Sequence, residues 1–353
     1  MDLLQAFLNL VVPVFGLSIL LVLWPLLTIR SIIARLFRVI FDENVRGKIV
    51  LITGASSGIG EQLAYQYSKR GAVVVLIGRR ENRLRAVAEQ CIKRGAMDVR
   101  AISADVSKEN DCKRFIEETV NHYGRLDHLV NNAGIVHSFL LEEVADSRPL
   151  NQIMDIDFWG YVYPTYYALP HLRRTHGKII VSASVASWLP FPRMSAYNAA
   201  NAAIFNFFDT LRIELGSSIG GITIVTEGWV ESEMTMGKHL NRHGEIEVGE
   251  NQRDIHVGPM PVAYAEECAK AIIRGALRNY KYVRVPYWYT VFLLYRIFAP
   301  EVLDFLLALF YLVPTPGRKD AAPLSKALVD IPGVKSILYP STIRAQRSKQ
   351  VKG

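Results

Sequence analysis

The residues best suited to chemistry in this chain form a glycine-rich turn over residues 53–60, with the sequence Thr-Gly-Ala-Ser-Ser-Gly-Ile-Gly. The turn follows an apolar segment, residues 49–52, that predicts a strand, and precedes residues 61–70, which predict a helix. Glycine at 54 and 58 lets the backbone turn tightly beside a pyrophosphate, and the N-terminus of a helix attracts its negative charge. The order of strand, turn and helix therefore predicts a dinucleotide site. Its predicted contacts are Thr53, Gly54, Ser56, Ser57, Gly58, Ile59 and Gly60.

Two arginines follow the next apolar segment. Residues 73–77 predict a strand, and Arg79 and Arg80 come just after it. A site specific for NAD carries Asp or Glu here, which accepts hydrogen bonds from the ribose hydroxyls. Two guanidinium groups instead suit a 2′-phosphate, which they bind through charge-assisted bidentate hydrogen bonds. The pair predicts NADP(H) as the cofactor. The alternative is a solvated pair at a helix start, which fits Arg80 better than Arg79.

Three further groups continue the pattern. Residues 131–134 read Asn-Asn-Ala-Gly, Ser184 follows a predicted strand at 178–181, and Tyr197 comes thirteen residues after Ser184. With the glycine turn, their order and spacing resemble the short-chain dehydrogenase/reductase family. The resemblance implies an α/β fold with a doubly wound parallel sheet of the Rossmann type. It also implies hydride transfer between a nicotinamide and a substrate carbonyl.

The same resemblance implies a role for each residue. Tyr197, at the start of a helix over residues 197–215, exchanges the proton, and Ser184 positions the substrate oxygen. Asp105 and Val106, at the end of the third strand, hold the adenine. The residues that lie under the cofactor are Asn131, Ala133 and Gly134.

Three positions depart from the family pattern. Asn201 stands where the family has lysine, Asp157 where it has asparagine, and Glu227 where it has proline. A free tyrosine has a pKa near about 10, and the family's lysine lowers that value by its charge. Asn201 keeps hydrogen-bonding capacity for the nicotinamide ribose but carries no charge, and an acid near Tyr197 raises the tyrosine pKa. Two interpretations remain open: an oxidoreductase with an altered proton network, or a catalytically impaired protein that binds dinucleotide and sterol.

The start of the chain is apolar. Residues 3–29 contain no charged side chain, and as one helix they would span about 40 Å, more than a bilayer core needs. Pro13 and Pro25 interrupt the segment, which is therefore either a tilted single span or two short arms that enter one leaflet or a lipid droplet. Residues 30–41 alternate basic and apolar side chains and predict a helix lying on the membrane interface. The arginines after the apolar segment leave the main domain in the cytosol.

Nearly the whole chain, residues 1 to about 343, is similar to the plant steroleosins, also called 11-beta-hydroxysteroid dehydrogenase-like proteins. The features that carry the similarity are residues 47–53, 124–130, 212–216 and 330–334, together with Pro13 and Pro25, which resemble a proline knob. The similarity implies a steroid substrate, NADP(H), and a site on lipid droplets or the endoplasmic reticulum. It also implies a homodimer paired through residues 198–215.

The length of 353 residues fits one domain of roughly 250 residues with extensions. We expect a membrane anchor at 1–41, a dinucleotide-binding domain at 42–285 and an apolar extension with a basic tail at 286–353. Residues 287–314 are mostly apolar and predict either a dimer interface or a second membrane-facing surface, with the membrane favoured. A further set of apolar side chains is expected to form a substrate wall, although core packing explains any one of them as well. They are Trp188, Phe191, Met194, Trp229, Met234 and Met236.

The net charge of +8 is not arranged as a basic stripe with interleaved aromatics, which excludes nucleic acid as a partner. The charge gathers in two places that suit an anionic membrane surface or a solvated face. These are Arg30, Arg35 and Arg38, and the tail Arg344, Arg347, Lys349 and Lys352. Three scattered cysteines provide neither a disulfide framework nor a metal site and favour a reducing compartment.

Overall fold

A computed structural model describes residues 2–40, 42–316 and 322–344 of the chain. The chain divides into two compact units, residues 1–43 and 44–353. The second unit includes the segment from residue 286 onward. Phe41 and the basic tail from Arg347 onward lie outside the described residues, as do the side chains of Arg35 and Arg38.

The first unit is one helix, α1, at Asp2–Ile40. Pro13 and Pro25 lie inside this helix, so the structure has the single-helix form and not the two short arms. The predicted interfacial segment continues the same helix. By length and composition, Asp2–Ala34 could cross a membrane, with a mean hydropathy of 2.5 and its side chains exposed.

The second unit is built on a parallel sheet of seven strands in the order β3-β2-β1-β4-β5-β6-β9. The strands are β1 Ile49–Thr53, β2 Val73–Gly78, β3 Asp98–Ser103, β4 His128–Asn131, β5 Lys178–Ser182, β6 Gly221–Glu227 and β9 Tyr282–Val285. A separate antiparallel pair joins β7 Lys238–Leu240 and β8 Ile246–Val248. The strand order reverses between β1 and β4, where a doubly wound sheet opens its binding crevice.

Helices connect the strands and continue to the end of the described chain. The helices of the sheet region are α2 Gly58–Ser68, α3 Glu81–Lys93, α4 Glu109–Tyr123, α5 Arg148–Met154, α6 Gly160–Thr175, α7 Ser195–Leu215, α8 Glu250–His256 and α9 Ala265–Leu277. Those that follow β9 are α10 Thr290–Phe298, α11 Pro300–Tyr311, α12 Leu324–Val329, α13 Val334–Leu338 and α14 Ser341–Arg344. Helix α2 begins three residues before the predicted start.

The centre of the sheet is buried on both faces, and β1 and β2 there are apolar at nearly every position, whereas the edge strand β3 is largely exposed. In β1, Val50 and Ile52 face a core formed with α2, α3 and α9, whereas Ile49 and Leu51 face a core formed with α4, α6 and α7. This alternation follows from the two-residue period of a strand. The predicted doubly wound α/β fold is confirmed.

The segment after β9 packs beside the carboxyl ends of β5 and β6. Tyr289 of the turn before α10, and Leu303 and Leu307 of α11, form a buried cluster with Val185 and Met194. The outer sides of α10 and α11 leave large apolar side chains exposed. They include Leu294, Ile297, Phe298, Val302 and Phe305.

Candidate active site

A cavity of about 270 Å³ opens at the carboxyl ends of β1, β4, β5 and β6. Parallel strands bring these ends to one edge of the sheet, which is where α/β sheets bind ligands. The residues with a predicted site role that line this cavity are Gly54, Ser56, Ser57, Gly58, Ile59, Arg79, Arg80, Asp105, Val106, Ala133, Gly134, Asp157, Ser184, Tyr197 and Asn201. Fifteen of the eighteen predicted site residues therefore share one cavity, and Thr53, Gly60 and Asn131 lie behind its wall.

The glycine turn has the close backbone contacts that only glycine permits. Gly54 has a φ of +67°, and a Cβ there would lie 2.8 Å from the Cα of Ala133. At Gly60, a Cβ would lie 2.4 Å from the carbonyl oxygen of Gly54. Helix α2 begins at Gly58, so its unpaired backbone N–H groups face the cavity. The turn fits a dinucleotide pyrophosphate, since it offers a close backbone approach and a helix N-terminus together.

Thr53 and Asn131 lie behind the wall, where Thr53 joins β1 to the end of β4 and Asn131 joins β4 to α6. The Thr53 hydroxyl accepts hydrogen bonds from the backbone N–H groups of Asn132, at 2.9 Å, and Ala133, at 3.2 Å. The Asn131 amide donates to the hydroxyl of Thr165 at 2.9 Å. Both residues fix the end of β4 against its neighbours and do not reach the cavity.

The two arginines differ in their surroundings. Arg80 donates to the hydroxyls of Ser56, at 3.0 Å, and Ser57, at 2.9 Å, and pairs with Glu233. Arg79 is exposed, and its guanidinium makes no ion pair among the described residues. Arg80 therefore braces the glycine turn, whereas Arg79 is available to a ligand. Glu233 was not anticipated, because it lies 153 positions from Arg80 in sequence.

Asp105 and Val106 lie two and three residues beyond the end of β3 and do not close the strand as predicted. The Asp105 carboxylate accepts from the backbone and the hydroxyl of Ser107, at 3.1 and 2.9 Å, which turns the chain here. A Cβ on Gly160 would lie 2.8 Å from the Val106 side chain. The loop is thus held in place at the cavity edge.

Ser184, Tyr197 and Asn201 meet beyond the end of β5. The backbone N–H of Ser184 donates to Asn201 Oδ1 at 2.9 Å, and Asn201 Nδ2 donates to the carbonyl of Tyr197 at 2.9 Å. Asn201 is buried and lies one helical turn after Tyr197 on α7. The Ser184 hydroxyl donates to the carbonyl of Glu227 at 3.3 Å.

Two buried carboxyl groups shape the electrostatics of this cluster. Burial raises the pKa of Asp157, and one of its oxygens, Oδ1, accepts from the backbone N–H of Ile135 at 2.8 Å. Burial also raises the pKa of Glu227 to about 7, while a hydrogen bond from Ser182 opposes the shift. The pKa of Tyr197 is raised by burial and by Asp157 and Glu227, and is lowered in part by Ser184 and Asn201.

Two residues of the cluster were missed from sequence. Tyr161 lies on α6 and donates its hydroxyl to the carbonyl of Ser182 at 2.9 Å, and both residues line the cavity. Burial, Asp157 and Glu227 all raise the pKa of Tyr161. The sequence could have indicated Tyr161 through its spacing, because a residue four positions after Asp157 lies on the same face of a helix.

Beyond Tyr197 the cavity wall is apolar. Of the six expected substrate-side residues, Phe191, Met194, Trp229 and Met234 line the cavity. Trp188 packs against the neighbouring apolar cluster, and Met236 packs in a separate cluster with Val257 and Tyr339. Tyr289 covers Gly228, where a Cβ would lie 1.9 Å from its ring, so the segment after β9 forms the back of this wall.

The sheet order, glycine turn and Ser–Tyr pair define a class of protein, and comparison of the sequence with family models gives the same class. Residues 48–243 match the short chain dehydrogenase family, and the chain belongs to this family of oxidoreductases. It is 56% identical over 312 residues to an 11-beta-hydroxysteroid dehydrogenase of Pinus massoniana, covering 88% of this chain and 87% of the relative. It is 47% identical over 349 residues to 11-beta-hydroxysteroid dehydrogenase 1A of Arabidopsis thaliana, covering 99% of both chains. The resemblance to plant 11-beta-hydroxysteroid dehydrogenases is confirmed.

Solved structures show the same fold. A short chain dehydrogenase/reductase from Burkholderia phymatum in complex with NAD matches with a TM-score of 0.65 and 21% identity, covering 74% of this chain and 96% of its own. An alcohol dehydrogenase from Thermococcus sibiricus complexed with 5-hydroxy-NADP matches with a TM-score of 0.56 and 23% identity, covering 68% and 95%.

Proposed function

We propose that the chain is a membrane-anchored, NADP-dependent oxidoreductase that acts on a hydroxyl or ketone group of a steroid or sterol-like lipid. The observation that carries the proposal is a single cavity that combines the glycine turn, the Ser184–Tyr197 pair and an apolar wall. The wall suits a rigid hydrocarbon skeleton, because most ligand pockets gain affinity from apolar contact and orientation from a few polar groups.

The cofactor is NADP(H) in this proposal. Gly54, Gly58 and the start of α2 receive the pyrophosphate, and Arg79 receives the 2′-phosphate, since its guanidinium is exposed at the cavity edge. Asp105 and Val106 receive the adenine. When bound, the nicotinamide supplies or accepts the hydride.

The residues of this chain handle the proton and the substrate oxygen. The Ser184 hydroxyl positions the oxygen, and Tyr197 exchanges the proton with it. Because burial and two carboxyls raise the pKa of Tyr197, its hydroxyl is protonated at neutral pH. The protonated hydroxyl is the form that donates a proton during ketone reduction, and its raised pKa disfavours proton removal from an alcohol.

The apolar helix α1 supports the membrane part of the proposal. We place the protein on a lipid droplet or the endoplasmic reticulum, with the second unit in the cytosol. The exposed apolar faces of α10 and α11 suit the same surface, from which a lipid substrate would enter. A homodimer paired through α7 is supported by a shallow groove lined by Ala203, Phe207 and Leu211.

A second candidate function is a binding protein with little catalysis. It is favoured by Asn201, which gives Tyr197 no positive charge. The two candidates are separated by measuring NADPH affinity and single-turnover NADPH oxidation on the full chain in detergent, with a panel of ketosteroids. Binding with turnover supports the enzyme, binding without turnover supports the binding protein, and failure to bind NADPH contradicts both.

A further inference from the structure

The inner end of the cavity holds two buried acids, and no cationic side chain in the described part of the chain bonds to either of them. Asp157 is 3% exposed and Glu227 is 5% exposed, and both line the cavity. Oδ2 of Asp157 is fully buried and has no hydrogen-bond partner in the described parts of the chain. The groups that face the two carboxyls are Tyr161, Tyr197, Cys268 and the Ser182 hydroxyl, none of which is cationic.

The cations that line the cavity belong to its other end. Arg80 and Lys238 both pair with Glu233 beside the glycine turn. Arg79 is exposed at the cavity edge, and Nδ1 of His239 donates to the carbonyl of Gly237 at 2.9 Å. Asn201, beside the acids, already uses its oxygen for the Ser184 backbone and its nitrogen for the Tyr197 carbonyl. The described residues therefore provide no internal partner for an ionised Asp157 or Glu227.

A buried carboxylate is costly unless a cation or several donors accompany it. From the orphaned Asp157 oxygen and the second acid beside Tyr197, we propose that the inner cavity binds the positively charged nitrogen of a hydrophobic ligand, an organic ammonium or iminium ion. Asp157 and Glu227 pair with the nitrogen. Phe191 and Trp229, whose ring centroids lie 5.7 Å apart on the cavity wall, contact the apolar body.

This inference rests on the proposed function for its reductant, a reduced nicotinamide, and changes the class of substrate. When hydride released from the C–H bond of the reduced nicotinamide adds to the carbon of an iminium ion, a new C–H bond forms and the C=N electron pair moves to nitrogen. The iminium ion is reduced by two electrons and the nicotinamide is oxidised by two. The product is a neutral amine, so no proton donor is needed in the step. A site with a weakly acidic tyrosine and no lysine suits this reaction better than ketone reduction.

The test measures binding and so does not depend on turnover. The full chain in detergent is titrated by calorimetry with three androstane derivatives of one skeleton: an amine, its trimethylammonium analogue and the matching alcohol. We expect both cations to bind about tenfold or more tightly than the alcohol, the usual scale of a hydrogen bond or contact with a charged group. Equal affinities would overturn the proposal.

Variants of the cavity residues test whether the preference for the cations depends on Asp157 and Glu227. Asp157→Asn and Glu227→Gln keep the side-chain shapes, and each is expected to remove most of the preference for the cations while NADPH affinity is retained. Asn201→Lys supplies an internal ammonium and is expected to remove the preference as well. The matched control is Glu109→Gln, because Glu109 is an exposed acid that accepts a hydrogen bond from Tyr167 away from the cavity. This variant should keep the preference for the cations. A preference that survives all three cavity variants would place the cation elsewhere and overturn the proposal.

The pH dependence of ligand affinity tests the site independently of the variants. Their raised pKa values keep the two acids protonated in the free protein, so binding of a permanent cation releases protons. The affinity for the cation therefore rises with pH through about 7, the pKa of Glu227. The trimethylammonium ligand keeps its charge at all pH values, so a pH-independent affinity would contradict the proposal. If NADPH binds and the cations show no preference, only this inference fails. If NADPH does not bind, the proposed function fails as well.

Discussion

Asn201 Oδ1 accepts a hydrogen bond of 2.9 Å from the backbone N–H of Ser184. The same side chain donates to the carbonyl of Tyr197, so it holds together the two residues that define the site. A lysine at this position would bring a charge that lowers the pKa of Tyr197, whereas Asn201 brings hydrogen bonds without charge. Asn201 thus supports the geometry of the site, whereas Asp157 and Glu227 help to raise the pKa of the Tyr197 hydroxyl.

Replacing Asn201 by lysine introduces a cation one helical turn from Tyr197. We expect Asn201→Lys to increase single-turnover NADPH oxidation with ketosteroids by about tenfold or more, because the ammonium favours the phenolate. Asn201→Leu removes the hydrogen bonds without adding charge, and its rate should not exceed that of the natural chain. Equal rates for the two variants would show that charge at this position does not limit turnover.

Glu227 makes stability depend on pH. Its pKa rises from 4.5 to about 7 on folding, so its contribution to stability is present below 4.5 and is lost as pH rises through 7. The full loss is about 3 kcal/mol. Thermal unfolding in detergent should show a smaller decrease of Tm over this range for Glu227→Gln than for the natural chain. Because the pKa of Asp157 is also raised, the Tm of the variant should still fall somewhat with pH. Identical dependence of Tm on pH in the variant and the natural chain would contradict the prediction.

The two arginines should affect cofactor binding differently. Arg79→Ala removes an exposed guanidinium and is expected to weaken NADPH binding about tenfold or more without changing NADH binding. Arg80→Ala also releases Ser56 and Ser57 and should weaken both cofactors. Titration of each variant with both dinucleotides measures the difference. Unchanged NADPH affinity in Arg79→Ala would remove Arg79 as the phosphate ligand.

Gly60 leaves no room for a side chain. In Gly60→Ala, the new Cβ would lie 2.4 Å from the carbonyl oxygen of Gly54, and we expect loss of about 1–3 kcal/mol of stability and weaker NADPH binding. Gly124→Ala is the control, because its φ is +73° but no atom lies within 4 Å of the new Cβ. It should lose stability from backbone strain and keep its NADPH affinity. Normal NADPH binding by a folded Gly60→Ala protein would argue against the turn as the pyrophosphate site.

The segment after β9 contributes to the buried apolar cluster beside the cavity. Leu303 is 2% exposed, and Leu303→Ala should cost about 2–5 kcal/mol of unfolding free energy because it leaves a void beside the cavity wall. Phe305, two residues on, is 65% exposed and is the matched control. Its alanine variant should unfold like the natural chain in detergent and bind less to lipid vesicles. Equal thermal stability of the two variants would contradict the packing of α11 on the site.

Much of the fold follows from local signals. The strand pattern at 49–52, the glycine turn and the spacing of Ser184 and Tyr197 predicted β1, the cavity-facing turn and the edge of the sheet where they meet. These features depend on neighbours in sequence, since a strand, a tight turn and a helix start are each fixed by a few adjacent residues.

The sequence by itself determined the family, the parallel sheet, the apolar first helix and the identities of Asn201, Asp157 and Glu227. Only the tertiary structure decided that Thr53 and Asn131 lie behind the cavity wall, that Glu233 pairs with Arg80, and that the C-terminal helices pack on the site. It also decided the surroundings of Asp157 and Glu227, because burial and the presence or absence of a nearby cation come from elements distant in sequence. Local composition cannot give the distance between such groups, and distance and burial set their charge.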